Sequence, residues 1–175
     1  VIFPVRTDNH TVLAPVPLPP SRKALELALS NDGQRLYVVA DNSPRDLLVY
    51  DTAELGSGAF RTLPIAGSAS DAVELAVTPN PSARLVALLA AAGHVVAWQT
   101  DIDAKTGTPA APDDITLAPN LRSLALGTAG DRAYAIEPAA HRIQVADLAA
   151  KAAATPIAVA PGTLDLAGLA VVRFP

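Results

Sequence analysis

The chain has 175 residues, 50% hydrophobic and 17% charged, with 13 Lys and Arg against 17 Asp and Glu and a net charge of −4. A half-apolar chain of ordinary domain length describes a folded domain with a sizeable core, and an acidic balance without a dense basic cluster removes the electrostatic basis of most nucleic-acid binding. Cysteine is absent, which excludes disulfides, thiolate metal sites and cysteine nucleophiles in this chain.

In chain order, the opening Val1-Ile-Phe-Pro-Val-Arg6 lacks an initiator Met and a basic-then-apolar signal layout, so the start is expected to be processed or cut from a longer chain. Residues 1–5 with Thr7-Asp8, then Thr11 to Leu18, read as the third and fourth strands of a partial unit. Whole units follow. Leu27-Ala-Leu-Ser-Asn-Asp-Gly33 recurs as Leu75-Ala-Val-Thr-Pro-Asn-Pro81 and Leu124-Ala-Leu-Gly-Thr-Ala-Gly130, and begins again at Leu169-Ala-Val171, at offsets of 48, 49 and 45. Each copy continues with a turn and an apolar strand, at Arg35 to Ala40, Arg84 to Ala90 and Arg132 to Ile136. A third strand follows at Leu47 to Tyr50, Val95 to Trp98 and Ile143 to Val145, trailed by Asp51, Asp101 and Asp147. A fourth closes each unit at Phe60 to Ile65, Ile115 to Leu117 and Pro156 to Val159. The units are approximately 1–20, 21–70, 71–118, 119–162 and 163–175, the first and last partial.

Four short strands per unit of this length is the period of a β-propeller blade, in which no unit buries both faces alone. A helical solenoid is excluded because the apolar runs are short, broken by Asp-Gly, Pro-Asn-Pro and Ala-Gly turns, and lack a 3.6-residue period. Only Asp147 to Ala154 reads as a short helical turn. The longest apolar stretch, Leu85 to Trp98, is interrupted by Gly93 and His94 and falls short of the roughly 20 residues needed to span a bilayer. The fold class is therefore all-β, with three complete four-stranded blades between two partial ones in a single domain or fragment over 1–175. Stacking should bury Leu27, Leu29, Leu36, Val38, Leu48, Tyr50, Leu75, Val77, Leu85, Leu88, Val96, Trp98, Leu124, Leu126, Tyr134, Ile143 and Val145 between blades. Gly33 should take a positive φ at its hairpin.

The unit Leu27 to Asn42, continued by Leu48-Val-Tyr-Asp-Thr52, resembles the YVTN-type β-propeller repeat of bacterial lactonase-like and surface-protein propellers. The later units share its spacing and apolar pattern but depart in wording, with Pro79-Asn-Pro81 in place of Asp-Gly. The resemblance implies a propeller, typically seven-bladed, and a bacterial periplasmic, cell-surface or extracellular location. If the termini met, they would supply strands one, three and four of a shared blade, a four-bladed ring lacking one strand. The expectation taken is an arc of a larger propeller, with apolar ends at Ile2, Phe3 and Val5 and at Leu166, Leu169, Val171 and Phe174.

Chemistry-bearing residues are few. His94 and His141 precede strand three in successive units and could face one pocket as metal ligands or proton carriers, against the plainer reading of polar residues opening surface strands. Glu26 and Glu74 precede the Leu-Ala motif in consecutive units, where the third has Ser123; such a pair could hold a cation or share a proton, or be two solvated acids. Asp101-Ile-Asp103 with Gly107 fails as a calcium loop because Lys105 and Pro112 occupy ligand positions. Pro15, Pro17, Pro19 and Pro20 suit an outer edge strand better than a docking motif. No nucleophile elbow, phosphate loop or dinucleotide fingerprint is present.

The expected function is a non-catalytic propeller module for protein–protein interaction or scaffolding, an accessory subunit of a cell-envelope or secreted assembly. Its expected partners are other protein subunits or the remainder of the propeller, with no nucleic acid, no membrane span and no cofactor. The alternative is a sugar-lactonase-like hydrolase using His94, His141, Glu26 and Glu74 at the channel mouth. Convergence of those four side chains favours the enzyme, and dispersal favours the module.

Overall fold

The computed structural model describes residues 1–41, 46–65, 73–79, 84–99 and 111–159. They form three four-stranded antiparallel sheets, each with its strands side by side in sequence order. The first sheet holds β1 (Ala24–Leu29), β2 (Arg35–Ala40), β3 (Asp46–Asp51) and β4 (Phe60–Pro64). The second holds β5 (Val73–Val77), β6 (Arg84–Leu89), β7 (His94–Gln99) and β8 (Asp113–Thr116). The third holds β9 (Arg122–Leu126), β10 (Arg132–Glu137), β11 (Arg142–Asp147) and β12 (Ala152–Ala158). The first strands lie in sequence, β1 against β5 and β5 against β9. The sheets are thus propeller blades stacked face to face.

Period-two alternation decides which side chains face which neighbour. In the second blade Leu85, Ala87, Leu89, Val96 and Trp98 pack against Tyr37, Val39, Leu47, Val49 and Leu63 of the first. The opposite face, with Val86, Leu88, Val95, Ala97 and Ile115, packs against Ala133, Ala135, Ala146 and Leu148 of the third. The third blade meets its neighbour with alanines, so those two sheets join through small side chains. Polar ties supplement the apolar contact. The Asn31 side-chain amide donates to the Thr78 carbonyl. The Arg84 guanidinium donates to the Leu148 carbonyl, and Lys151 pairs with Asp113 at 2.8 Å between the outer strands of the second and third blades.

Residues 1–18 form an antiparallel arm, bridged at Ile2 to Val16 and Val5 to Val12, as expected of the outer strands of a partial blade. Val16 is fully buried with Val38, Ala40, Leu48 and Tyr50, the leading face of the first blade. The Val16 N–H donates to the Ile2 carbonyl and the Ile2 N–H to that of Val16. Neighbouring Pro15 and Pro17 therefore direct their nitrogens to the outer edge, where no donor is required.

Three sequence expectations are corrected. Leu27 and Leu29 are not buried but 46% and 55% exposed, because they project from the leading face of β1, where no described residue stacks on them. Leu36, Leu75, Val77, Leu124, Leu126, Tyr134 and Ile143 are only half-buried, although the first five pack against an apolar core. Asp147 to Ala154 is not helical: Asp147 accepts from the Ala149 and Ala150 N–H groups at 3.0 and 2.8 Å, a tight turn that delivers the chain into β12. Gly33 takes φ +70° as expected. Leu166, Leu169, Val171, Phe174 and the Asp101–Asp103 segment lie outside the described residues, and no helix among those described is long and apolar enough to cross a membrane.

Candidate functional site

Two places gather polar side chains, the row of first strands and the loop face above it. On the first strands, Glu26 and Glu74 sit at the position that alternation turns toward the following blade. The Glu74 carboxylate accepts from the backbone N–H groups of Ser123 and Leu124 at 3.0 and 2.8 Å. Both donors open β9, where the register against β10 shifts and Ser123 adopts φ +52°, so its N–H turns out of the ladder. Glu74 is thereby a clip between the second and third blades. Glu26 lies near enough to Glu74 to feel it: partial burial, and then the Glu74 charge, raise its carboxyl pKa. Glu74 is thus engaged by the next blade's backbone, while Glu26 feels only its charge.

The histidines are handled separately. His94 opens β7, and its Nδ1 lies 2.7 Å from Asp114 Oδ1 on β8 of its own blade, an exposed pair. His141 closes the short 3-10 turn Pro138–Ala140 in the left-handed region, φ 48°, and is exposed. Neither histidine lines the cleft at the loop face, and among the described residues no three His, Asp or Glu side chains converge on one point that could hold a metal.

That cleft has a volume of about 460 Å³ and is lined by Ala90, Ala91, Asn120, Leu121, Arg122, Pro138 and Ala139. It mixes a loop between strands two and three of one blade with the linker into the next, as a propeller's ligand face should. Its walls are fixed by backbone bonds: the Leu121 N–H donates to the Ala90 carbonyl at 2.8 Å and that of Asn120 to Ala91 at 3.2 Å. The cleft is mostly alanine, proline and leucine, with Asn120 and Arg122 its polar lining residues and no carboxylate, imidazole or hydroxyl side chain among them. Beside it, Glu137 accepts from Arg142 and Gln144. The Arg142 hydrogen bond, reinforced by that of Gln144, holds the Glu137 carboxyl below the usual range.

No family model matches the chain, and no curated protein matches it in sequence. Solved structures do. The chain is similar to a structure of a mitotic checkpoint complex at 16% identity and TM-score 0.61, covering 87% of this chain and 42% of that one. It is similar to the hydrazine synthase of Kuenenia stuttgartiensis at 14% identity and TM-score 0.62, covering 89% and 42%. A β-propeller domain from Myceliophteria thermophila matches at 12% identity and TM-score 0.61, covering 84% and 50%. The chain thus spans about two fifths to one half of these chains. At such identities the likeness carries the fold alone, and the fold is a β-propeller.

Proposed function

We propose that the chain is a non-catalytic β-propeller module for protein–protein interaction, serving as an accessory or scaffolding part of a larger assembly. The observation that carries this reading is the use of Glu74, the best-placed acid on the first strands, to hold Ser123 and Leu124 of the next blade. A general base needs a free lone pair aimed at substrate, whereas this carboxylate is spent on the backbone. His94 is tied to Asp114 and His141 stands on a separate loop, which supports the same conclusion.

The hydrolase reading draws support from one observation, the raised carboxyl of Glu26 beside Glu74, as a general acid would require. The two readings separate on assay of the whole chain against a panel of sugar lactones. The module predicts no turnover above background, and a rate that falls on Glu26→Gln with the melt unchanged would establish the enzyme instead. Kinship to the YVTN-type repeat, and with it a bacterial cell-envelope or secreted setting, belongs to the proposal and rests on the wording of residues 27–52. Fractionation of the native host tests it: recovery in periplasmic, surface or culture fractions supports it, and recovery with cytosolic markers overturns it.

A further inference from the structure

The loop-face cleft between the second and third blades holds a cation with no described group to answer it. The cleft volume of about 460 Å³ lies in the range of clefts that bury a small ligand, roughly 300–1,000 Å³. Leu121, 3% exposed, is anchored in the apolar core between those blades, and the next residue, Arg122, stays exposed at the cleft. Asn120 at φ +58° and Ser123 at φ +52° bracket the two, so the linker turns sharply on either side and presents Arg122 from a fixed backbone.

Other charges of the loop face are already compensated. Arg142, on the strand that follows the Pro138–Ala140 turn, donates to Glu137, which also accepts from Gln144, and His94 is paired with Asp114. The Arg122 guanidinium makes no hydrogen bond or ion pair with a described residue, and no carboxylate lines the cleft with it. Backbone pairing is not open to a ligand on the linker wall. There the Ala90 and Ala91 carbonyls accept from Leu121 and Asn120, and across the cleft Pro138 has no N–H to offer. What remains is an apolar surface of alanine, proline and leucine with side-chain donors at its rim: the Arg122 guanidinium, which donates and cannot accept, and the Asn120 amide.

We infer that this cleft binds a peptide segment of a protein partner through one acidic side chain set beside an apolar one. The carboxylate would take two parallel hydrogen bonds from Arg122, and its apolar neighbour would cover the alanines and Pro138. Ala91, Asn120 and Ala139 are all exposed, so the rim is low and a chain can enter and leave the cleft at its two ends. A basic segment would bring a second cation to Arg122, and a wholly apolar one would bury a guanidinium without a partner. A phosphate group carries up to two charges and seeks several donors, whereas a single guanidinium is present and the Asn120 and Leu121 N–H groups are spent on the opposite loop. The inference rests on the interaction-module reading and gives it a partner chemistry.

The test adds a pool of acetylated, amidated tripeptides, each with Glu between two residues drawn from Ala, Val, Leu and Phe, to the isotope-labelled whole chain and follows its amide resonances. Saturable shifts are expected at Ala91, Leu121 and Ala139, with the apparent affinity falling about tenfold or more when Gln replaces the central Glu of the pool. Arg122→Gln should cause the same loss. Ala139→Glu, which sets a carboxylate among the cleft residues, should also cause it, and both variants should keep the parent's melt. No saturable shift from the Glu pool, equal binding of the Gln pool, or binding that survives Arg122→Gln would each overturn the assignment. Hexanoate binding more tightly than the Glu pool would overturn it in favour of a free small acid. Lactone turnover bears on the module reading and not on this cleft, so the two fail separately.

Discussion

The same three-residue motif occupies the first strand of each blade, and its surroundings differ in one respect. In the second and third blades, Leu75 with Val77 and Leu124 with Leu126 meet a preceding sheet and join its core. In the first blade, no described strand stacks on Leu27 and Leu29, which stand about half exposed. Further out on that first blade, Val38, Leu48 and Tyr50 are buried under Val16. Burial of a propeller strand is thus set by the neighbour and not by the strand's own composition.

The largest expected effect breaks this comparison if it is wrong. Leu124→Asp sets a carboxylate against Ala133 and Ala135 and should cost about 3 kcal/mol or more. Leu27→Asp, on the bare face, should stay within about 0.5 kcal/mol. Denaturant melts of the two variants check it, and equal losses would mean that both faces are covered.

The turns offer a second contrast. A Cβ at Gly93, with φ +75°, would lie 2.2 Å from the Ala118 carbonyl oxygen of the linker into the third blade, whereas one at Gly33, with φ +70°, would meet nothing within 4 Å. Gly93→Ala should therefore cost about 3 kcal/mol or more, combining strain with overpacking, and Gly33→Val about 1–3 kcal/mol from strain alone. Thermal unfolding of both variants orders them, and the reverse order would misplace the linker.

Glu74→Ala comes next. It leaves the Ser123 and Leu124 N–H groups without their acceptor and should cost about 1–3 kcal/mol, with faster amide exchange at those two residues. Exchange unchanged from the parent would show that Glu74 is not the clip.

The smallest effect is a pH dependence. The carboxyl pKa of Glu26 is raised on folding, so the folded state holds a proton that the unfolded state has released. Its contribution favours folding at low pH and is lost as pH rises through the folded pKa. Glu26→Gln should accordingly raise the melt slightly at pH 7 and leave it unchanged at pH 3.5; a loss at neutral pH would mean that the carboxylate makes a favourable contact.

The blade repeat was legible because turn chemistry and alternation are local: β2 runs from Arg35 to Ala40 as read from the sequence, and Gly33 has the φ its Asp-Gly turn requires. Exposure of Leu27 was not legible, since alternation gives a strand's two faces but not what lies opposite. The equivalent positions of Glu26 and Glu74 on β1 and β5 followed from the repeat. The clip did not, because its donors are backbone groups exposed by a register shift at Ser123, which leaves no side-chain signature. The His94–Asp114 pair was not legible for another reason: its partners stand 20 residues apart, on strands whose repeat is carried by their apolar residues alone.

Apolar-dye binding by the whole chain and by its Leu27→Asp, Leu29→Asp variant, with sedimentation and a thermal melt of each, tests the central claim most directly. The account predicts that the parent binds dye, while the variant binds markedly less dye and melts no earlier. A parent that is monodisperse and silent to the dye would contradict it, and would make a closed four-bladed ring the better description.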